Sequence, residues 1–278
     1  GKMQVSYKGY YGITNAIKQF DDIDYALITA LGEEDMHVVD EMRQSGLQVE
    51  VMPSRQSVYF ENIYGENQDN RTQRVLAKAD PFTIDYLQNI EANIFHLGSL
   101  LADDFSLEVV EYLSGKGKLS IDSQGYLREV RGTDVFPVDW EQKHEFLKYA
   151  TFLKANEQEM FSLTGYNDVE KAAKELYSWG VKEVLLTLGS NGSVIFDGTQ
   201  FHLIPAYKPK EVVDATGCGD TYMTGYLYCR AKNKSIDEAG RFAAAISTLK
   251  IEAMGPFAGS RSDIERCMVE AEQTFPSL

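Results

Sequence analysis

A chain of 278 residues, 44% apolar and 25% charged, carries enough hydrophobic mass for a sizeable core, which excludes disorder for its bulk and leaves one large domain or two small ones open. Its 27 basic residues against 42 acidic ones give a net charge of −15, which repels a polyphosphate backbone and disfavours general nucleic-acid binding; an anionic small ligand would need backbone N–H groups or a metal to hold it. No apolar run reaches the roughly 18 residues of a membrane-spanning helix, and the three cysteines (Cys218, Cys229, Cys267) form no CxxC pair, so zinc and a disulfide framework are poor readings and a reducing, cytoplasmic setting fits best.

Strand-like and helix-like stretches alternate along the chain. Tyr25–Leu31 is apolar and ends at Gly32, as a buried strand would; in the following EEDMHVVDEMRQSG, Val38, Val39 and Met42 fall at helical spacing and Gly46 stops the pattern. The pair repeats as Asn93–Ser99 with LEVVEYLSGKG, then as Lys118–Ser123 with WEQKHEFLKY. Thr151–Asn156 is followed by a helix near Glu157–Leu163 and another at Val169–Gly180, and Val181–Gly189 is the most hydrophobic strand. Such alternation predicts a parallel sheet covered by helices on both faces. Two stretches break the rhythm. Leu47–Lys78 reads as three strands with polar interruptions and a turn at Glu66–Asn70, a small antiparallel sheet inserted into the α/β order. Gly192–Pro205 places Asp197-Gly198 between apolar runs, a hairpin signal. Beyond Asp214 the expectation is helical: Asp220–Lys232, Ser235–Glu252 and Ser262–Thr274.

The segment richest in chemistry is Glu211–Ala231. A short strand at Val212 and Val213 is expected to enter Asp214-Ala-Thr-Gly-Cys-Gly-Asp220, after which Tyr222, Met223, Tyr226 and Leu227 begin a helix. Gly217 and Gly219 let the backbone turn tightly and approach a ligand, and the helix start aims N–H groups with partial positive charge into the loop. The product is an anion cradle that needs no basic side chain, so even an acidic protein could hold phosphate there. A carboxylate at its mouth, Asp220, is suited to take a proton from an attacking hydroxyl. Taken alone, G-x-G-D also reads as a turn with Asp220 capping a helix.

DATGCGD followed by TYMTGYL resembles the C-terminal signature of the ribokinase-like (PfkB) carbohydrate kinase family, with Ala215 where Thr is usual and Cys218 where Ala is usual. Further likenesses come in the family's order: LKANEQE resembles its N-x-x-E motif through Asn156 and Glu159, LLTLGSNGSVIF its T-x-G-x-x-G segment, NIFHLGSL its substrate-side strand, and YALITALGEED its early strand and acidic turn.

The resemblance implies a three-layer α/β/α sandwich, with residues 1–46 and 79–278 as core and 47–78 as a small antiparallel β lid that excludes water during transfer. It implies transfer of the γ-phosphoryl group of ATP to a sugar, polyol or nucleoside hydroxyl. Asp220 would be the base, and the amides of Gly217, Cys218 and Gly219 would form the anion hole. Asn156, Thr187, Gly189, Gly192 and Gly255 would lie by the nucleotide, and Glu159 by Mg²⁺. Asp214 and Thr216, with the loop at Ala253–Gly255, would border a monovalent cation such as K⁺. Gly9, Gln124 and Arg128 would approach the substrate, and a homodimer through the lid is implied as well. Val5–Ile17, with Lys8-Gly9, matches the family's Gly-Gly region, so the usual first strand with its substrate Asp is not expected in this chain. His96, inside an apolar strand, is expected to be a satisfied core histidine. The Cys218 thiol is not expected to be a nucleophile in transfer, although its place at a helix start could make it reactive. A rival reading keeps the fold but makes the protein a catalytically silent nucleotide or sugar binder. A dinucleotide oxidoreductase is disfavoured, since no early G-x-G-x-x-G follows a strand.

Overall fold

The computed structural model describes residues 3–4, 16–64 and 71–278. Its main sheet runs, from edge to edge, Phe201–Ile204, Ser193–Phe196, Glu183–Thr187, Phe152–Asn156, Lys118–Ile121 and Ile94–Leu97. The last four strands are mutually parallel, and the first two form the antiparallel hairpin signalled by Asp197-Gly198. Alternation along each strand splits the core into two layers. Leu153, Ala155, Val184 and Leu186 face the helices Leu107–Ser114, Lys143–Leu147, Glu157–Thr164 and Val169–Ser178. Phe152, Leu185, Ile195 and Ile204 face Cys218–Ala231, Ile236–Ile251 and Arg261–Glu270. The molecule is therefore the expected three-layer α/β/α sandwich. Among the described residues no helix is long and apolar enough to cross a membrane.

The register brings strand ends together where a ligand site can form: Asn156 pairs with Thr187, and Leu153 with Ile121. In open α/β sheets ligands bind at this carboxyl edge. The helix Cys218–Ala231 is pinned there from its far end. Glu183, at the start of its strand, accepts from Arg230 Nε at 3.0 Å and Nη2 at 2.9 Å, and also from the Tyr226 hydroxyl. A two-pronged guanidinium–carboxylate contact fixes orientation as well as distance.

The insertion is built differently from its sequence reading. Val49–Pro53 pairs in parallel with Leu27–Leu31 around the helix Met36–Gln44. The small antiparallel sheet takes Tyr59–Tyr64 and Arg71–Ala77 and adds Met3–Gln4, Asp134–Pro137 and Arg128–Arg131. The last two strands escape a hydrophobicity reading because Glu129 and Arg131 point outward, leaving Val130 and Val135 alone against Phe60, Val75 and Leu101. Val212 and Val213 form no strand; they are exposed, and the amide of Val213 donates to Ile251 O at 2.8 Å. The strand ahead of the glycine loop is instead Ala206–Tyr207, paired with Gln273–Thr274, so the last helix stops at Glu270 and does not run to Thr274. Gly9, with the rest of its Gly-Gly region up to Asn15, and the turn Glu66–Asn70 lie outside the described residues.

Candidate active site

Gly217 is the N-cap of the helix Cys218–Ala231, at φ +78°, and no side chain caps that start. Among the described residues nothing lies within 4 Å of a Cβ added at Gly217, so on their side the loop is open. The first helical hydrogen bond runs from Thr221 N to Gly217 O at 3.0 Å, and the Thr221 hydroxyl donates to the same oxygen at 2.9 Å. Gly219 sits in the first turn, where an amide has no carbonyl four residues back within the helix. The Cys218 amide donates to Ala215 O at 3.3 Å, so of the expected donors it is the one turned back into the loop.

Asp220 lines a cleft with His96, Ser120, Ile121, Asp122, Lys154 and Met223. Lys154 comes from the central strand, on the side facing this helix, and its Nζ would lie 3.0 Å from a Cβ on Gly219. The ammonium thus stands over the backbone expected to hold an anion. His96 Nδ1 is 2.8 Å from the Ser120 hydroxyl; burial, opposed by Asp122 and helped by Lys154, holds its pKa below the usual histidine value. That supports a satisfied histidine, but one placed on the wall of the cleft.

Asn156 and Glu159 close the start of their own helix as a capping box. Glu159 N donates to Asn156 Oδ1 at 2.8 Å, and Asn156 N to Glu159 Oε1 at 3.1 Å. Burial, reinforced by Asp122 and opposed by Lys154 and the Asn156 amide, raises the Glu159 carboxyl above the usual range. A cation beside it would relieve that strain. Among the described residues no group of three or more His, Cys, Asp or Glu could hold a metal ion by itself. One carboxylate nevertheless fits Mg²⁺ as it is carried by phosphates, with one or two protein ligands and the rest water and donor oxygens.

The other expected positions are distributed as follows. Thr187 neighbours Asn156 at the sheet edge, and the turn Gly189–Asn191 closes through Leu188 N to Gly192 O at 2.8 Å. A side chain at Gly192 would collide with Ile204 O. Gly255 lies on an exposed loop. Gln124 starts a short turn after the Ile121 strand, its amide donating to Asp122 Oδ1 at 2.9 Å. The Arg128 guanidinium donates to Leu100 O and lies 5.1 Å from the Phe60 ring centre, a tie between the small sheet and the core. The Cys218 Sγ approaches Ser247 O at 3.9 Å, and burial pushes its thiol pKa up, so the helix start does not activate it. Thr216 N donates to Asp214 Oδ1 at 2.9 Å, bracing the loop from within.

The place expected for a monovalent cation does not fit one. Lys250, 3% exposed in the last turn of Ile236–Ile251, donates from Nζ to Asp214 O at 3.0 Å and to Asp214 Oδ2 at 3.3 Å. Burial alone would raise the Asp214 carboxyl, yet the bonds from Thr216 and the Lys250 ammonium hold it below the usual carboxylate range.

The profile described as "pfkB family carbohydrate kinase" matches residues 13–262. A cytidine kinase of Thermococcus kodakarensis is 27% identical over 202 residues, covering 69% of this chain and 68% of the relative. A solved pyrophosphate-dependent kinase in the ribokinase family superposes with a TM-score of 0.78 at 31% identity, covering 91% of this chain and 89% of the other. A pyrophosphate-dependent myo-inositol-1 kinase, converted by mutation into a myo-inositol-3 kinase, reaches 0.80 at 29% identity, covering 96% and 92%. Two further curated relatives, a ribokinase of Arabidopsis thaliana and a nucleoside kinase of Methanocaldococcus jannaschii, are matched over 34% and 51% of their own length.

Proposed function

The chain belongs to the pfkB family of carbohydrate kinases, and from that membership we propose that it transfers the γ-phosphoryl group of ATP to a hydroxyl of a sugar, polyol or nucleoside. The observation that carries the proposal is the cleft in which Asp220 and Lys154 meet at an uncapped helix start. Asp220 takes the proton of the acceptor hydroxyl as its oxygen attacks phosphorus. The amides of Gly217 and Gly219 donate to the equatorial oxygens of the migrating group, and that of Cys218 joins them on letting go of Ala215 O. Positioning and charge stabilisation of this kind dominate phosphoryl transfer. Lys154 adds a full positive charge where the charge of the transferring group builds up.

Asn156, Thr187, Gly189, Gly192 and Gly255 line the donor side. Gln124 and Arg128 belong to the acceptor side, Arg128 by fixing the small sheet to the core. Glu159 would hold Mg²⁺ brought by the donor, and the ion would supply screening of the phosphate charge. The small sheet serves as a lid over the acceptor, and its outer face, with Ile63 and Leu76 exposed, serves as a homodimer contact. The three free thiols suit work in the reducing cytoplasm.

A second donor, inorganic pyrophosphate, has specific support. The two solved structures at 31% and 29% identity are described as pyrophosphate-dependent, and a lysine over the anion hole suits a small, highly charged donor. The test is a panel of sugars, polyols (myo-inositol among them) and nucleosides, each with ATP and with pyrophosphate and Mg²⁺, followed by detection of the phosphorylated acceptor. Product that forms with the wild type and vanishes in Asp220→Asn supports the proposal. Tight donor binding with no phosphorylated acceptor from any class would favour the silent-binder reading.

A further inference from the structure

Beneath the glycine loop, a full positive charge is already built into the chain. Lys250 reaches Asp214 from the neighbouring helix and bonds to both its main-chain carbonyl and its carboxylate. Its side chain is 3% exposed, so the ammonium has given up nearly all of its water for these oxygens. A buried charge keeps such a place only when paired and hydrogen-bonded. Two more features favour a cation here. Lys250 lies in the last turn of its helix, the partially negative end of the helix dipole. The amides of Val213 and Asp214 both donate to Ile251 O, at 2.8 and 3.1 Å, strapping the loop to that helix end. A second strap follows, Ser247 Oγ to Cys218 O at 3.2 Å.

We propose that the Lys250 ammonium stands in for a monovalent cation under the phosphate-side loop, so that this protein orders the loop without potassium. Carbonyl and carboxylate oxygens together are the donor set a potassium ion takes, and an ammonium is a compact monovalent cation that accepts the same partners. The two cannot share the position, since unit charges a few ångström apart repel strongly in a partly buried site. The lysine also ties the Asp214 loop covalently to the helix that receives it. The loop therefore keeps its shape whatever the salt around it.

The decisive readout is thermal unfolding, which is independent of the kinase reading; a kinetic arm rests on that reading and follows once an acceptor is known. Wild type is compared in potassium, ammonium and tetramethylammonium chloride at equal ionic strength, with Lys250→Ala, which leaves room for an ion, and Lys250→Met, which refills it with an uncharged chain. The wild type should unfold at the same temperature in all three salts. Lys250→Ala should lose about 5–10 °C in tetramethylammonium, the scale of breaking a buried ion pair. Potassium or ammonium should restore most of that loss, while Lys250→Met should lose as much and recover nothing. In turnover, wild type should change less than about twofold between the salts, and Lys250→Ala should become potassium-dependent. A wild type specifically stabilised by potassium overturns the proposal, as does a folded Lys250→Ala that potassium leaves unchanged. If neither variant folds, the wild-type comparison decides.

Discussion

Two helices begin at the same edge of the main sheet, and they begin in opposite ways. At Glu157–Thr164 the start is closed: Asn156 and Glu159 satisfy each other's amides, and a left-handed Gly165 ends the helix eight residues on. At Cys218–Ala231 the start is open: Gly217 offers no side chain, and a Cβ on Gly219 would meet the tip of Lys154. A closed start is a device of stability, since a cap satisfies donors that would otherwise need water. An open start beside a cation has no such use and is suited to an anion that comes and goes. The roles proposed for the carboxylates follow the same contrast: Glu159 bonds at its own helix start, and Asp220 lines the cleft.

Substitutions can break this contrast, the largest effect first. Asp220→Asn keeps the fold and the open start but removes the base; turnover should fall by roughly 10²–10⁴-fold while donor binding persists. Steady-state kinetics with isothermal calorimetry for the donor checks this, and unchanged turnover would remove Asp220 from the base role. Lys154→Met should lower turnover by roughly 10–10³-fold, the range for losing one preorganised charge donor. The loss should be greater with pyrophosphate than with ATP, since the smaller donor has fewer other contacts; equal losses with both would separate Lys154 from donor choice. Asn156→Ala should cost about 1 kcal/mol and a few degrees of Tm by calorimetry, and should also weaken donor binding. Unchanged donor binding would remove Asn156 from the donor side. Acid gives the mildest test. Asp214 titrates below the usual carboxylate range, so its ion pair contributes stability that is fully present above its unfolded value of about 4 and fades as pH falls through the lower folded value. The Lys250→Ala variant should show a shallower dependence of Tm on pH in that acid window.

The sheet and most helices were legible because their strands are apolar over whole runs and their helices carry caps at regular spacing. Val181–Gly189 and Ile236–Ile251 could scarcely be read otherwise. The glycine loop was legible for a different reason: a glycine with left-handed backbone ahead of a helix start follows from backbone geometry alone. What stayed hidden were the residues whose meaning depends on a distant partner. Lys154 looks like an ordinary strand charge until Gly219 is folded against it, and Lys250 looks like a surface lysine in a helix until Asp214 arrives. Asp122 and His96 likewise gain a role only when three strand ends are brought side by side. The strands at Arg128–Arg131 and Asp134–Pro137 were illegible because a two-sided edge hairpin needs few apolar residues to belong to a sheet.

The alternation along Phe152–Asn156 has a consequence for how this molecule matures. Phe152 goes to one layer, Leu153 and Ala155 to the other, and Lys154 is the single charged plank between them. Mispairing by a single position would drive that ammonium into one apolar layer and turn a leucine toward the cleft. The lysine that lines the cleft therefore also penalises a wrong register of the sheet, and a chain that threads this plank wrongly would be recognisable by its instability.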